Sequence, residues 1–182
     1  LYQRLHTVVM QCPQGARSWT WRNIFNNIVP RRAFLALISQ EAYYGSWSRR
    51  SSFFESANVS AVSFKHNGRD ALPQPYQTQF VYEAGGKLDL DATDAQSPFA
   101  GFSRVVGNIT NSCKAVGYRH FKAGNIVYAV ELEHAETLKA SEGTFDAFIE
   151  FDTPCKEAMM IFVIGEYPKT LSFDSNRQIV SF

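Results

Sequence analysis

The chain is poor in the residues that most often carry chemistry. Among its 182 residues there are only three cysteines and four histidines. Cys12, Cys113 and Cys155 show no CxxC spacing, so neither a disulfide framework nor a zinc site follows from them. Free buried thiols are the expectation, as in a reducing compartment. His6, His66, His120 and His134 are scattered, with no HExxH and no His/Cys pair at ligand spacing. The two-His-plus-Glu cluster of a metal-binding β-barrel has no visible counterpart. Gly85-Gly86 lacks the remainder of a phosphate loop. Asp89, Asp91 and Asp94 begin like a calcium loop, but the sixth-place glycine is missing and Ala100 stands where the closing glutamate belongs. No apolar run reaches the roughly eighteen residues of a membrane span. Internal repeats and low-complexity tracts are also lacking. These absences point away from an enzyme, and no cofactor or metal is expected.

Charge is sparse as well, at 19% of residues, and nearly balanced at +1. It is unevenly placed. Residues 1–50 hold seven arginines (Arg4, Arg17, Arg22, Arg31, Arg32, Arg49 and Arg50) against one acid, Glu41; the remainder holds eleven basic and sixteen acidic residues. Ordinary solvated surface would explain this. The sharper explanations are complementarity between neighbouring copies, or an inner face in weak contact with nucleic acid. Two sequons, at Asn58 and Asn108, are of a kind that often arises by chance, and glycosylation is not the expectation.

What the chain has is apolar and aromatic content: 45% hydrophobic residues, with fifteen Phe, eight Tyr and three Trp. Strand patterns recur between turn signals. Residues 5–11 and 18–23 form the first two, with Trp19 and Trp21 on one face. Residues 26–30 read as loop. Residues 33–39 are nearly all apolar, as a central strand covered on both faces would be. Residues 41–52 read as a loop rich in Tyr43, Tyr44 and Trp47. Residues 59–65 alternate and run into Asn67-Gly68, a strong hairpin signal. Residues 76–82 suggest another strand. Ser97-Pro98 then predicts a helix start, with Phe99, Phe102, Val105 and Val106 on one face and Gly107 ending it. Residues 126–132 place Ile126, Tyr128, Val130 and Leu132 together.

The last forty residues are the most regular. Phe145, Ala147, Ile149 and Phe151 face one way. Residues 159–167 are apolar on both faces, which marks a strand central in a covered sheet or pressed on a partner. A short closing segment, residues 171–180, is broken by Asp174-Ser-Asn-Arg177. The prediction is an all-β jelly-roll sandwich of about eight strands with long loops and one short helix, in a single domain over residues 1–182.

These blocks resemble the second, C-terminal jelly roll of the double-jelly-roll major capsid protein of Polinton/Maverick elements and adintoviruses. The residues that carry the likeness are Pro30-Arg-Arg-Ala-Phe-Leu-Ala-Leu-Ile38 with Ala42-Tyr-Tyr-Gly45; Phe53-Phe-Glu55 leading to the Asn67-Gly68 turn and Leu72-Pro73; Gly124-Asn-Ile-Val-Tyr-Ala-Val-Glu-Leu132; and residues 143–180 with Gly165-Glu166. Residues 85–114 show little likeness to it. The resemblance implies a structural role without catalysis: copies of the chain form trimeric capsomers that tile an icosahedral shell beside other capsid proteins such as the penton. The chain is then the C-terminal half of a longer protein, found in the virion and assembled in the host nucleus or cytoplasm. A single-roll penton or minor capsid protein shares the expected fold, and a lectin-like binding sandwich is the other alternative. The candidate interface residues are Tyr43, Tyr44, Trp47, Arg49, Arg50, Met160 and Phe162.

Overall fold

The computed structural model describes residues 2–51, 53, 54, 56–78, 97–110, 116–132, 141–169, 171–173 and 179–181. The chain begins with strands β1 (Tyr2–Cys12), β2 (Ser18–Trp21), β3 (Ile28–Val29) and β4 (Arg32–Ser39), followed by helix α1 (Gln40–Tyr44). Strands β5 (Val59–His66), β6 (Arg69–Asp70) and β7 (Tyr76–Gln77) precede helices α2 (Pro98–Thr110) and α3 (Tyr118–Lys122). Strands β8 (Tyr128–Glu131), β9 (Ser141–Glu142), β10 (Phe145–Phe151), β11 (Met159–Lys169), β12 (Leu171–Phe173) and β13 (Ile179–Ser181) close the chain.

Two main antiparallel sheets result, beside the two-stranded pairs β3–β9 and β12–β13. The first runs β1–β11–β4–β8; the second runs β2–β10–β5–β6, with β7 also pairing on β5. The eight principal strands are β1, β2, β4, β5, β7, β8, β10 and β11. Counted in chain order, the sheets are 1-8-3-6 and 2-7-4-5. Successive strands thus alternate between the two sheets until β5 and β7, which is the interleaving of a jelly roll. The predicted all-β sandwich is therefore the fold.

Alternation decides which side chains enter the core. From the first sheet come Ala33, Leu35 and Leu37 of β4, Ile161 and Val163 of β11, and Tyr128 and Val130 of β8. From the second come Trp19, Val62, Phe64, Phe145, Ala147 and Ile149. Phe145 stacks between Phe64 and Phe25, with ring centroids at 5.7 and 5.8 Å. Trp19 and Trp21 meet edge to face at 5.6 Å, on the shared face expected of them.

The outward faces differ. On the second sheet they carry Ser18, Thr20, Ser63, Lys65, Asp146 and Glu150, with Phe148 shielded beneath the Lys65 ammonium at 5.4 Å. On the first sheet the register aligns Val9 with Phe162 and Ile164 with Phe34, a mainly apolar strip. It ends at a cross-strand ion triad. Glu166, Arg32 and Glu131 are direct neighbours on β11, β4 and β8. Arg32 donates to Glu166 at 3.0 Å and to Glu131 at 2.9 Å. Arg32 and Glu166 are both buried.

Four sequence expectations change. Residues 41–52 do not begin as loop: α1 forms because Ser39 caps it, its Oγ accepting from the Ala42 amide at 3.3 Å, and Gly45 closes it at φ 95°. Helix α2 starts at Pro98 as predicted, but it passes Gly107 to Thr110, since a glycine inside a helix costs only about 1 kcal/mol. With α3, the helices number three among the described residues. Residues 28 and 29, read as loop, pair with β9. The Asn67-Gly68 turn is as expected, with both residues at positive φ (50° and 76°). Of the strand expected over 76–82, residues 79–82 lie outside the described residues, as do Cys113, His134, Gly85-Gly86 and the Asp89–Asp94 loop.

Removing Arg32 strands a buried carboxylate. Arg32→Ala is expected to cost about 3–5 kcal/mol, whereas Arg31→Ala, whose exposed guanidinium lies 3.9 Å from Glu131, should cost no more than about 1 kcal/mol. Urea denaturation checks this: the midpoint should drop sharply for Arg32→Ala alone, with the slope unchanged.

Candidate subunit interface

The β1–β2 turn, the α1 segment and the β10–β11 connection meet at one end of the sandwich. Backbone bonds join them: Gly15 N donates to the Cys155 carbonyl (2.8 Å), Cys155 N to Ala16 (2.9 Å) and Gln40 N to Ala158 (2.9 Å). Side chains add Gln11 Nε2 to Gln40 Oε1 (2.9 Å) and Gln14 Nε2 to the Lys156 carbonyl (2.8 Å). Farther along this end, Asn58 Nδ2 donates to Thr153 Oγ1 at 3.1 Å.

On this base α1 presents its aromatics. Its inner side, Ala42, packs with Ile38 and Met160, and Val9, Phe54 and Phe162 adjoin them. Its outer side carries Tyr43 and Tyr44, whose rings meet edge to face at 5.1 Å. Tyr43 also contacts Phe162 at 5.5 Å. Trp47 follows in the loop and is fully exposed; Tyr44 is 70% exposed. Tyr44, Trp47 and the neighbouring Arg50 therefore reach solvent, while Phe162 is half-covered.

Two candidates serve the chain itself. Met160, on the outward face of the first sheet, is only 7% exposed because α1 is seated on it. Arg49 clamps the loop: it lies 3.2 Å from Glu41 Oε2 and 2.7 Å from Glu157 Oε1. Ser46 and Ser48 hydroxyls also reach Glu41 Oε1, at 2.9 and 3.3 Å. These bonds hold a loop with exposed aromatics in a fixed shape. Ile164, Phe34 and Val9, half-buried on the outward strip of the first sheet, extend the apolar surface from Phe162. Sequence reading did not single them out, although the near-continuous apolar runs of β4 and β11 carry the signal.

At the opposite end, the β5–β6 hairpin, α2 and the end of β8 border a cleft of about 1060 Å³, lined among others by His66, Arg69, Asp70, Arg104 and Glu131. Its charges are mixed. Among the described residues, no three His, Cys, Asp or Glu side chains group as metal ligands, and no helix is long and apolar enough to cross a membrane. No protein-family model and no curated protein matches the chain.

The division between seated and exposed side chains is measurable. Met160→Ala is expected to lose about 2–5 kcal/mol of stability, and Trp47→Ala to stay within about 0.5 kcal/mol. Chemical denaturation gives both values. Iodide should quench the fully exposed Trp47 most strongly, so the Trp47→Ala protein should respond clearly less, its remaining response coming from partly buried Trp21.

Proposed function

We propose that this chain is a structural capsid subunit of a double-stranded DNA virus or virus-like transposon, one that associates with copies of itself into trimeric capsomers of an icosahedral shell. The observation that carries the reading is the asymmetry of the jelly roll. The second sheet turns a polar face outward, whereas the first turns out Val9, Phe34, Phe162 and Ile164 beside the exposed Tyr44 and Trp47. Apolar surface rimmed by polar residues marks a surface built for burial. A closed ring of subunits buries such surface on every copy. The likeness of the sequence blocks to the double-jelly-roll capsid family supplies the shell geometry; fold alone does not establish function.

In this reading Tyr43, Tyr44, Trp47 and Arg50 touch the neighbouring subunit, and aromatic and arginine anchors suit that role. Met160 and Arg49 act behind them by fixing α1 and its loop. The site of action is the virion, with assembly in the host nucleus or cytoplasm. A single-roll penton or minor capsid protein is the variant of the same reading. The exposed aromatic group also favours a lectin-like alternative, since sugar rings stack on such side chains.

Native mass spectrometry and negative-stain microscopy of the full-length protein test the proposal. Concentration-dependent trimers are expected, and Tyr44→Asp combined with Trp47→Asp should leave monomers with unchanged circular dichroism. A strictly monomeric protein from low micromolar to several hundred micromolar would overturn it. Glycan-array hits abolished by Trp47→Ala would put the lectin-like reading in its place.

A further inference from the structure

Cys12 and Cys155 are far apart in sequence, but both are buried in one apolar cluster and their segments are joined by backbone hydrogen bonds. Cys12 ends β1 and is fully buried; Cys155 lies in the β10–β11 connection and is 4% exposed. Both belong to the main apolar cluster. The two backbone bonds between Cys155 and the 15–16 turn fix the segments against each other. The Cys12 thiol donates to the Pro13 carbonyl at 3.9 Å. Burial is the largest cause pushing the Cys12 thiol up to about 12, and the charge of Cys155 and a hydrogen bond with it add to the rise. Burial raises Cys155 as well, but a hydrogen bond with the Cys12 side chain offsets part of that. Each side chain thus feels the other, while burial dominates at both.

We propose that Cys12 and Cys155 are an oxidation site, closing into an intrachain disulfide that staples the end of the first strand to the turn entering β11. Small-molecule disulfides such as glutathione disulfide are the oxidant class. The Cys155 thiolate attacks one sulfur of glutathione disulfide, and one glutathione thiolate leaves. The Cys12 thiolate then attacks Cys155 Sγ in the mixed disulfide and displaces the second glutathione. One S–S bond is broken and one formed; the two protein protons end on two glutathione thiols. The cysteines are oxidised and the glutathione disulfide reduced. The exposed residues Pro13, Gln14 and Gly15 follow Cys12, and exposed Lys156 follows Cys155, so a local opening of these two segments admits the oxidant. Because burial keeps both thiols protonated in the closed state, exchange is slow there, and the finished bond is shielded equally well. The inference does not depend on the capsid reading.

The test uses the native full chain in buffers spanning reduced to oxidised glutathione, followed by acid quench, alkylation under denaturing conditions and peptide mapping. The expected product is a peptide linked through Cys12 and Cys155, formed equally in Cys113→Ser. The enclosed loop of roughly 140 residues should raise the melting temperature by roughly 10 °C, and dithiothreitol should reverse it. Cys155→Ser should show neither the linked peptide nor the rise; Cys12→Ala is the second variant should Cys155→Ser fold poorly. If the wild-type chain keeps both thiols alkylatable after prolonged oxidation, or if mapping pairs either with Cys113, the proposal is wrong.

Discussion

The fold depends on β11 entering the gap between β1 and β4. It pairs with β1 along eleven residues, from Tyr2↔Lys169 to Cys12↔Met159, and with β4 along eight. Without it the first sheet has no path from β1 to β4. Both pairings join chain segments more than a hundred residues apart, so loop-closure entropy is lost before their contacts form. Such topologies fold slowly, and until β11 arrives, β1 and β4 expose open edges. The apolar character of both faces of β11 follows from this position. One face fills the core with Met159, Ile161 and Val163, while the other receives α1.

The ion triad secures the far end of the same strand. Arg32 lies between Glu166 and Glu131, one on each neighbouring strand. A one-residue slip of β11 would bring Gly165 or Tyr167 opposite Arg32 and turn Glu166 to the core face. The triad therefore opposes slippage where apolar side chains alone would discriminate poorly. It also bears on the uneven charge of the sequence. Arg31 and Arg32 meet Glu131 and Glu166, and Arg49 meets Glu157. Part of the basic excess of the first fifty residues is thus answered inside the fold by acids from the second half. This reduces the charge left for nucleic acid or for neighbouring copies.

Strands announced themselves wherever one face was buried and the other wet. The period-two pattern of 145–151 matches β10 residue by residue, and Ile126, Tyr128, Val130 and Leu132 are all buried as their spacing implies. Helix α1 did not announce itself. It is five residues long, too short for a helical period, and Tyr43, Tyr44 and Gly45 look like loop composition; only the Ser39 cap and Glu41 were available as signals. The site was legible in part for the same reason. Exposed aromatics at Tyr44 and Trp47 stand out in sequence. Whether Met160 or Phe162 meets a partner depends on what lies over them, and that cover comes from α1, which chain order alone does not place there.

That cover is incomplete, and the incompleteness has a direction. Helix α1 buries Met160 and Ile38, leaves Phe162 half-covered, and leaves Ile164, Phe34 and Val9 on the open strip. Among the described residues, β1 forms the outer edge of this sheet with no strand beyond it, and Leu5 on it is exposed. An apolar strip beside an open edge is an aggregation hazard in a free monomer. A specific partner would turn the same surface into a contact. The Glu41–Arg49–Glu157 clamp favours specificity, because Tyr44 at the end of α1 and Trp47 in the following loop are already held in place. Less conformational freedom is then lost on association, and more of the apolar burial appears as affinity.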